Sequence, residues 1–262
     1  MILVLVAATV TAQDTSGAWQ MPASGLASLS HYNLPTGYVG SCGCVGDSSG
    51  YYPTAALNQL AFGSAAVYGP GCGRCFNLTL LDTWTSTPPF YPSTHPSVVI
   101  KVTDLCPGSS AHCQATASKP NEFGFYVHFD LAYPTPAIPL NSFFPSNVTQ
   151  YGYSDFGLWN VTYESVPCIP NWAGSSHADA MGSVPNQGSS VCCPGEPSTN
   201  NTCPSYSASH ALPPDTTTSG AVRLLPGCDL GLVLSLGLAL ALVCSSVAAN
   251  RPDPHILPHR LR

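Results

Sequence analysis

An all-β fold, a small closed barrel of short strands, is what this sequence predicts, and three observations carry the prediction. Charged residues make up 8% of the chain while Gly (23) and Pro (26) are abundant, so turns are frequent and long helices disfavoured. Apolar and polar residues alternate in short runs, which is the period of a half-buried strand. The ten cysteines from Cys42 to Cys203 are even in number, as a disulfide framework in an oxidising compartment requires. Zinc is the competing reading of Cys72-Gly-Arg-Cys75, but no second CxxC follows at a suitable spacing.

In chain order, residues 1–12 are an apolar run ending in Val10-Thr11-Ala12, expected to be a secretory signal peptide. Asn-x-Ser/Thr sequons at Asn77, Asn147, Asn160 and Asn200 agree with secretion. Residues 25–168 hold the barrel, with strand candidates at 26–32, 74–81, 98–104, 125–131 and 158–166. The segment 53–62, PTAALNQLAF, predicts a helix begun by Pro53 and Thr54, with Ala56, Leu57, Leu60 and Ala61 on its apolar face. Residues 169–220 are rich in Cys, Pro and Ser and lack periodicity, which reads as a disulfide-stapled extension running into a stalk. Within 221–262 lies the uncharged run 230–249, long enough to span a bilayer. It is either a lipid-anchor signal, favoured by Ser219-Gly220-Ala221, or a single transmembrane helix followed by Arg251, Arg260 and Arg262. Both place the protein at the cell surface, facing out, with the membrane reached through the tail.

Between Gln13 and Gly220 only Arg74, Lys101 and Lys119 are cationic, against eleven carboxylates. Without a basic patch, nucleic acid is excluded as a partner. A weakly charged surface rich in Tyr, Trp, Ser and Asn suits a neutral polymer such as a polysaccharide. No metal or other cofactor is implied, and the chain is read as a monomer.

Five motifs occur in order: AALNQLAFGS (55–64), CGRCFNLTL (72–80), VVIKVTDLCP (98–107), HFDLA (128–132) and GLWNVTYESVPC (157–168). Together they resemble the six-stranded double-psi β-barrel shared by expansins and glycoside hydrolase family 45 endoglucanases. The first three look closest to the fungal subfamily C of that hydrolase family. The last looks like the final barrel strand of expansins, with Trp159 where an aliphatic residue is usual. The resemblance implies an extracellular β-1,4-glucan-active protein, either an inverting endoglucanase or a non-hydrolytic, expansin-like wall-loosening or polysaccharide-binding module. The cellulose-binding β-sandwich of full expansins is expected to be absent, because the Cys/Pro-rich sequence from Pro170 onward carries no strand pattern.

Inverting cleavage of a glycosidic bond needs one carboxyl to protonate the leaving oxygen and a base to activate water. In FYVHFDLA (125–132), alternation puts Phe125, Val127, Phe129 and Leu131 on one strand face, with Tyr126, His128 and Asp130 on the other. Asp130 is then a proton donor or a cap on the turn that follows. Asp47, Asp82 and Asp155 read as turn formers, Glu122 as a loop residue and Glu164 as a solvated face position. The resemblance makes Asp130 the general acid and Asp104 a second carboxylate that tunes it or positions water; Asp104 reads equally as a buried Asp holding the loop of Cys106 through hydrogen bonds. The usual family base is missing from Ser30-His31-Tyr32-Asn33-Leu34. The subfamily C substitute, an Asn between the equivalents of Cys106 and Cys113, is missing from CPGSSAHC. Asn121 matches another polar loop position of that branch and stands as the substitute. An amide is a poor base, so hydrolysis is expected to be slow. Tyr32, His128 and Trp159 are the substrate-binding candidates, against core packing for Tyr32, a structural histidine on a barrel strand for His128 and a filled barrel flank for Trp159. Trp172 is read as stacking on a sugar or covering the extension.

Overall fold

The computed structural model describes residues 19–35, 37–44, 51–183 and 188–210. The expected signal peptide, the apolar tail, Asp47, Cys228 and Cys244 lie outside those residues. Among the described residues six strands close into a barrel: β1 (Ser24–Tyr32), β2 (Thr54–Asn58), β3 (Cys75–Asp82), β4 (Ser97–Cys106), β5 (His128–Ala132) and β6 (Trp159–Val166). Their order around the wall is β1-β5-β2-β4-β3-β6. Two pairings are parallel, β1 with β5 and β2 with β4, and the rest are antiparallel.

Strict alternation builds the core. Leu29 on β1, Phe76, Leu78 and Leu80 on β3, Ile100 and Val102 on β4, Phe129 and Leu131 on β5 and Val161 on β6 are all sealed inside. Phe76, Phe129 and Tyr163 meet at its centre, with ring centroids 5.4–6.0 Å apart. Burying each such side chain stabilises the fold by roughly 1.5–3 kcal/mol. The same alternation turns Ser28, Ser30, Ala56, His128 and Asp130 toward the outer wall, whereas Asp104, of the same parity as Ile100 and Val102, is brought opposite Ala56 by a register shift in the β2–β4 pairing.

The predicted helix at 53–62 is instead mostly strand. Thr54–Asn58 is β2, buried at all five positions between β4 and β5, and only Gln59–Phe62 forms a single helical turn. Its Ala and Leu favour helix locally, yet pairing on both edges plus complete burial overrides that preference. The fourth predicted strand, 125–131, also starts late, at His128 rather than Phe125. Asn121 Oδ1 accepts the backbone N–H groups of Phe123 (3.1 Å) and Phe125 (3.0 Å), and this local capture holds the preceding residues in a loop.

Ten cysteines form five disulfides: 42–72, 44–193, 75–168, 106–113 and 192–203. Cys72 and Cys75 thus bind different partners, which removes the zinc reading of their motif. The extension packs on the barrel through residue 210. Trp172 is buried, its indole N–H donates to Pro53 O at 2.7 Å, and its ring lies 5.6 Å from the ammonium of Lys101. Lys101, facing outward from β4 and fully covered, donates to Pro194 O and Gly195 O at 3.0 Å each. Gly73 permits this approach, with φ +78° and space in which a Cβ would meet Pro194 O at 2.4 Å.

Candidate active site

The register of three neighbouring strands gathers the carboxylates. Ala56 on β2 lies opposite Asp130 of β5 on one side and opposite Asp104 of β4 on the other. On the far side of β5, Asp130 pairs with Ser30 of β1. One level of the outer wall therefore reads Ser30, Asp130, Ala56, Asp104. The small Ala56 leaves a floor between the two acids, against which Tyr32 packs together with Cys106 and Cys113.

Asp130 is half-buried. Its Oδ1 accepts a 2.7 Å hydrogen bond from Ser30 Oγ, and among the described residues Oδ2 takes none. Burial raises its pKa above the ordinary carboxyl value. The Ser30 hydrogen bond, His31 and His112 pull the other way, and the charge of Asp104 adds to the rise. No backbone N–H bonds to it within the described residues, so its side chain does not cap the turn at 131–134.

Asp104 is buried, and its Oδ1 accepts from Ser41 N (2.8 Å), Ser41 Oγ (2.7 Å) and Leu105 N (2.9 Å). The loop carrying Ser41 comes this close because position 40 is glycine: a Cβ there would lie 2.5 Å from Thr103 O. Tyr38, from the same loop, has its phenol pKa raised by burial and by the charge and hydrogen bond of Asp104. Between the acids, the Tyr32 hydroxyl is buried with no hydrogen-bond partner among the described residues. Burial, then Asp104, then Asp130 drive its ionisation far above the ordinary tyrosine range. A buried donor left without an acceptor is costly, and here it sits beside both carboxylates.

Behind Asp130 runs a chain of buried polar groups. His128 is fully covered, with Nδ1 2.8 Å from Ser28 Oγ and Nε2 3.0 Å from Ser30 Oγ. Burial, with a smaller effect of His112, pushes its pKa down to about 3, so the ring is neutral and carries one N–H. Ser30 gives its proton to Asp130, hence it accepts from Nε2–H, and Nδ1 accepts from Ser28. Ser28 in turn accepts from Asn121 Nδ2 at 3.1 Å. Every donor in the series Asn121, Ser28, His128, Ser30 points toward Asp130. Asn121 is further committed: its other amide hydrogen goes to His112 O at 2.8 Å, and its oxygen serves Phe123 and Phe125.

A profile of the EXPB1-like domain 1 family matches residues 27–174, more than half of the chain. The chain belongs to that family. With its closed six-stranded barrel, the domain is an expansin/family 45-like double-psi β-barrel, cellulase-like or expansin-like in kind. Endoglucanase-5 of Hypocrea jecorina is 30% identical over 154 residues, 53% of this chain and 55% of that protein, so the chain spans about half the length of this curated relative. Among solved structures, a mutant GH45 endoglucanase EG27II in complex with cellobiose is 23% identical, with TM-score 0.39 over 62% of this chain and 91% of that one. The β-1,4-D-endoglucanase Cel45A of the blue mussel Mytilus edulis is 21% identical, with TM-score 0.37 over 60% and 86%.

Within this family domain the predicted residues divide. Asp130, Asp104 and Tyr32 converge on one patch of wall, and Asn121 stands behind it. Two substrate-binding expectations need correction. His128 is 0% and Trp159 1% exposed, so neither ring offers a face to a sugar. Trp159 points inward from β6 and packs among Phe90, Phe144 and Phe156, with centroids 5.6–6.0 Å away. Sequence reasoning missed Ser28, Ser30, Tyr38, Ser41 and His112. Ser28 and Ser30 were accessible to it, because they alternate with Ala27 and Leu29 on β1.

Proposed function

We propose that this chain is a β-1,4-glucan-active hydrolase of the inverting endoglucanase type, with Asp130 as the general acid. The observation that carries the reading is the pairing of Asp130 and Asp104 across Ala56. Two strand spacings separate their Cα atoms by about 10 Å, and an inverting pair needs carboxyls roughly 6.5–9.5 Å apart with water between. Burial keeps a proton on Asp130 to higher pH than an ordinary aspartate holds it, as a donor to a leaving oxygen requires. Asp104 and the unpartnered Tyr32 hydroxyl face the position of the water. Asn121 acts through the buried series, orienting Ser28, His128 and Ser30 behind the acid. The polymer is cellulose or a related β-glucan, and the protein works outside the cell, at its surface or wall, tethered through the apolar tail. The five disulfides support an oxidising compartment.

Reducing-sugar release from soluble mixed-linkage β-glucan tests the reading. Wild type releases sugar, and Asp130→Asn lowers the rate by about 10²-fold or more without loss of fold. A second reading, expansin-like disruption without cleavage, draws on one observation: among the described residues Asp104 is the one other carboxylate whose charge acts on Asp130. It predicts retained binding to insoluble glucan with no sugar released by either protein, and that result would sink the hydrolase reading.

A further inference from the structure

Asp130 has a proton to give, and inverting cleavage also needs a group that takes one from water. Asp104 is heavily committed, since its Oδ1 accepts from Ser41 N, Ser41 Oγ and Leu105 N. Asn121 is committed at every polar atom of its side chain. His112 is not. It sits in the loop closed by the Cys106–Cys113 disulfide, its side chain 43% exposed, with Nδ1 3.2 Å from Glu122 Oε1. An ionised carboxylate only accepts hydrogen bonds, so the neutral ring carries its hydrogen on Nδ1 and a lone pair on Nε2. Among the described residues Nε2 takes no hydrogen bond.

Strand register puts this ring beside the acid. Asn58 of β2 lies opposite Cys106 of β4, and its Oδ1 accepts from His128 N of β5 at 3.0 Å. That rung is two residues from the rung of Ala56 and Asp130, about 7 Å along the wall. The His112 ring stands over it, 5.6 Å from the His128 ring, with Phe123 5.1 Å away. Asn121 Nδ2 donates to His112 O at 2.8 Å and fixes the backbone there. The adjoining Cys113 packs with Ala56 and Tyr32, on the floor between the two acids. A positive charge on His112 pulls the pKa of Asp130 down, so the two groups are close enough to interact. The rung spacing agrees with the roughly 6.5–9.5 Å that separates acid and base when water sits between them.

We infer that His112 is the general base of this site and that Glu122 is the positioning residue that orients its ring. The inference rests on the hydrolase reading and names the group that activates the water. In the step, a water O–H bond breaks and its proton passes to His112 Nε2. The water oxygen bonds to the anomeric carbon from the face opposite the leaving chain. The glycosidic C–O bond breaks, and its electron pair stays on the leaving oxygen, which takes the proton of Asp130. The product is the α-anomer, with an imidazolium at His112 and a carboxylate at Asp130. His112 then loses a proton to solvent and Asp130 gains one, which restores the starting state.

The test uses the full chain on soluble mixed-linkage β-glucan. His112→Ala lowers kcat by about 10²-fold or more, with KM and Tm unchanged. Sodium azide fits the space left by the ring and attacks without a base. It restores most of the rate in His112→Ala and gives an α-glycosyl azide, identified by NMR, whereas the wild type gains nothing from it. Glu122→Gln lowers kcat about three- to tenfold, as loss of one orienting hydrogen bond does, and leaves KM unchanged. Should His112→Ala fail to fold, His112→Gln keeps a polar side chain there and shows the same loss of kcat. Wild-type kcat in His112→Ala, or a loss that azide does not restore, overturns the inference. The hydrolase reading then still stands or falls on Asp130→Asn. A raised KM with a lowered Tm assigns His112 and Glu122 to holding the loop, and the inference fails. A wild type that releases no sugar removes the hydrolase and its base together.

Discussion

Lys101 and Asp130 are both ionisable groups that the barrel wall withdraws from water, and the surroundings treat them in opposite ways. Around Lys101 the accounts are closed: two carbonyls accept its hydrogens, the Trp172 ring covers it, and the charge of Glu196 offsets part of the cost of burial. Around Asp130 they are open. Among the described residues, one oxygen is held by Ser30, the other takes no hydrogen bond, and the neighbouring Tyr32 hydroxyl has no acceptor. A fold gains nothing from unsatisfied buried polar groups, so the open set is where an outside molecule completes the bonding. The closed set is a fastening.

Breaking the fastening has the largest expected effect. Lys101→Met leaves the carbonyls of Pro194 and Gly195 without their donor, which costs about 2–4 kcal/mol and lowers Tm by roughly 5–10 °C. Thermal denaturation checks this, and a change below about 1 °C would mean the contacts contribute nothing. The pH dependence carries a second sign. Burial pushes Lys101 down to about 8 from 10.5. Between those values the unfolded chain holds a proton that the native state has shed, so stability rises with pH across that window. In Lys101→Met that rise disappears.

Opening the other set further comes next. Ser30→Ala removes the one hydrogen bond that lowers the pKa of Asp130, so the pKa moves further up. The protonated acid then persists to higher pH, and the alkaline limb of the pH–rate profile shifts upward. Activity at the optimum falls about three- to tenfold, as expected from loss of a hydrogen bond worth about 1 kcal/mol that orients the carboxyl. A downward shift of that limb would contradict the assignment of Asp130 as donor.

The way these positions arise explains how much of the site could be read from residues alone. Phe129 and Leu131 against His128 and Asp130 is a period-two pattern, so the outward face of β5 was legible. PTAALNQLAF was misread because Ala and Leu carry no local mark of a strand paired on both edges; β4 and β5 decide it from 40 or more residues away along the chain. Ser41 and Tyr38 reach Asp104 from an aperiodic loop that approaches only because Gly40 has no side chain. His128 and Trp159 looked like recognition residues by type, and burial, a property of the assembled wall, removed them. For Asp104 and Asp130 the motifs identified the residues, but their facing across Ala56 depends on strand order, which local patterning does not encode.

The smallest effect sharpens the comparison most. Tyr32→Phe deletes a buried donor that has no partner in the described fold, so stability changes by less than about 1 kcal/mol and in the favourable direction. Turnover of glucan nonetheless falls several-fold. Loss of stability beyond about 1 kcal/mol would show that the hydroxyl belongs to the fold and that the set around Asp130 is closed after all.

The bond between Cys44 and Cys193, 149 residues apart in sequence, sets the two ends of an assembly schedule. The family profile ends at residue 174, yet the thiol of Cys44 waits for a partner made nineteen residues later, and Lys101 waits for the carbonyls of Pro194 and Gly195. Closing so long a loop is worth about 4–5 kcal/mol in the chain-entropy account. Inheritance and maturation therefore draw different borders on this chain. A gene fragment trimmed to the family domain would emerge with an unmatched thiol and an uncovered ammonium, whereas one carried past Cys203 gives each of the ten cysteines its mate.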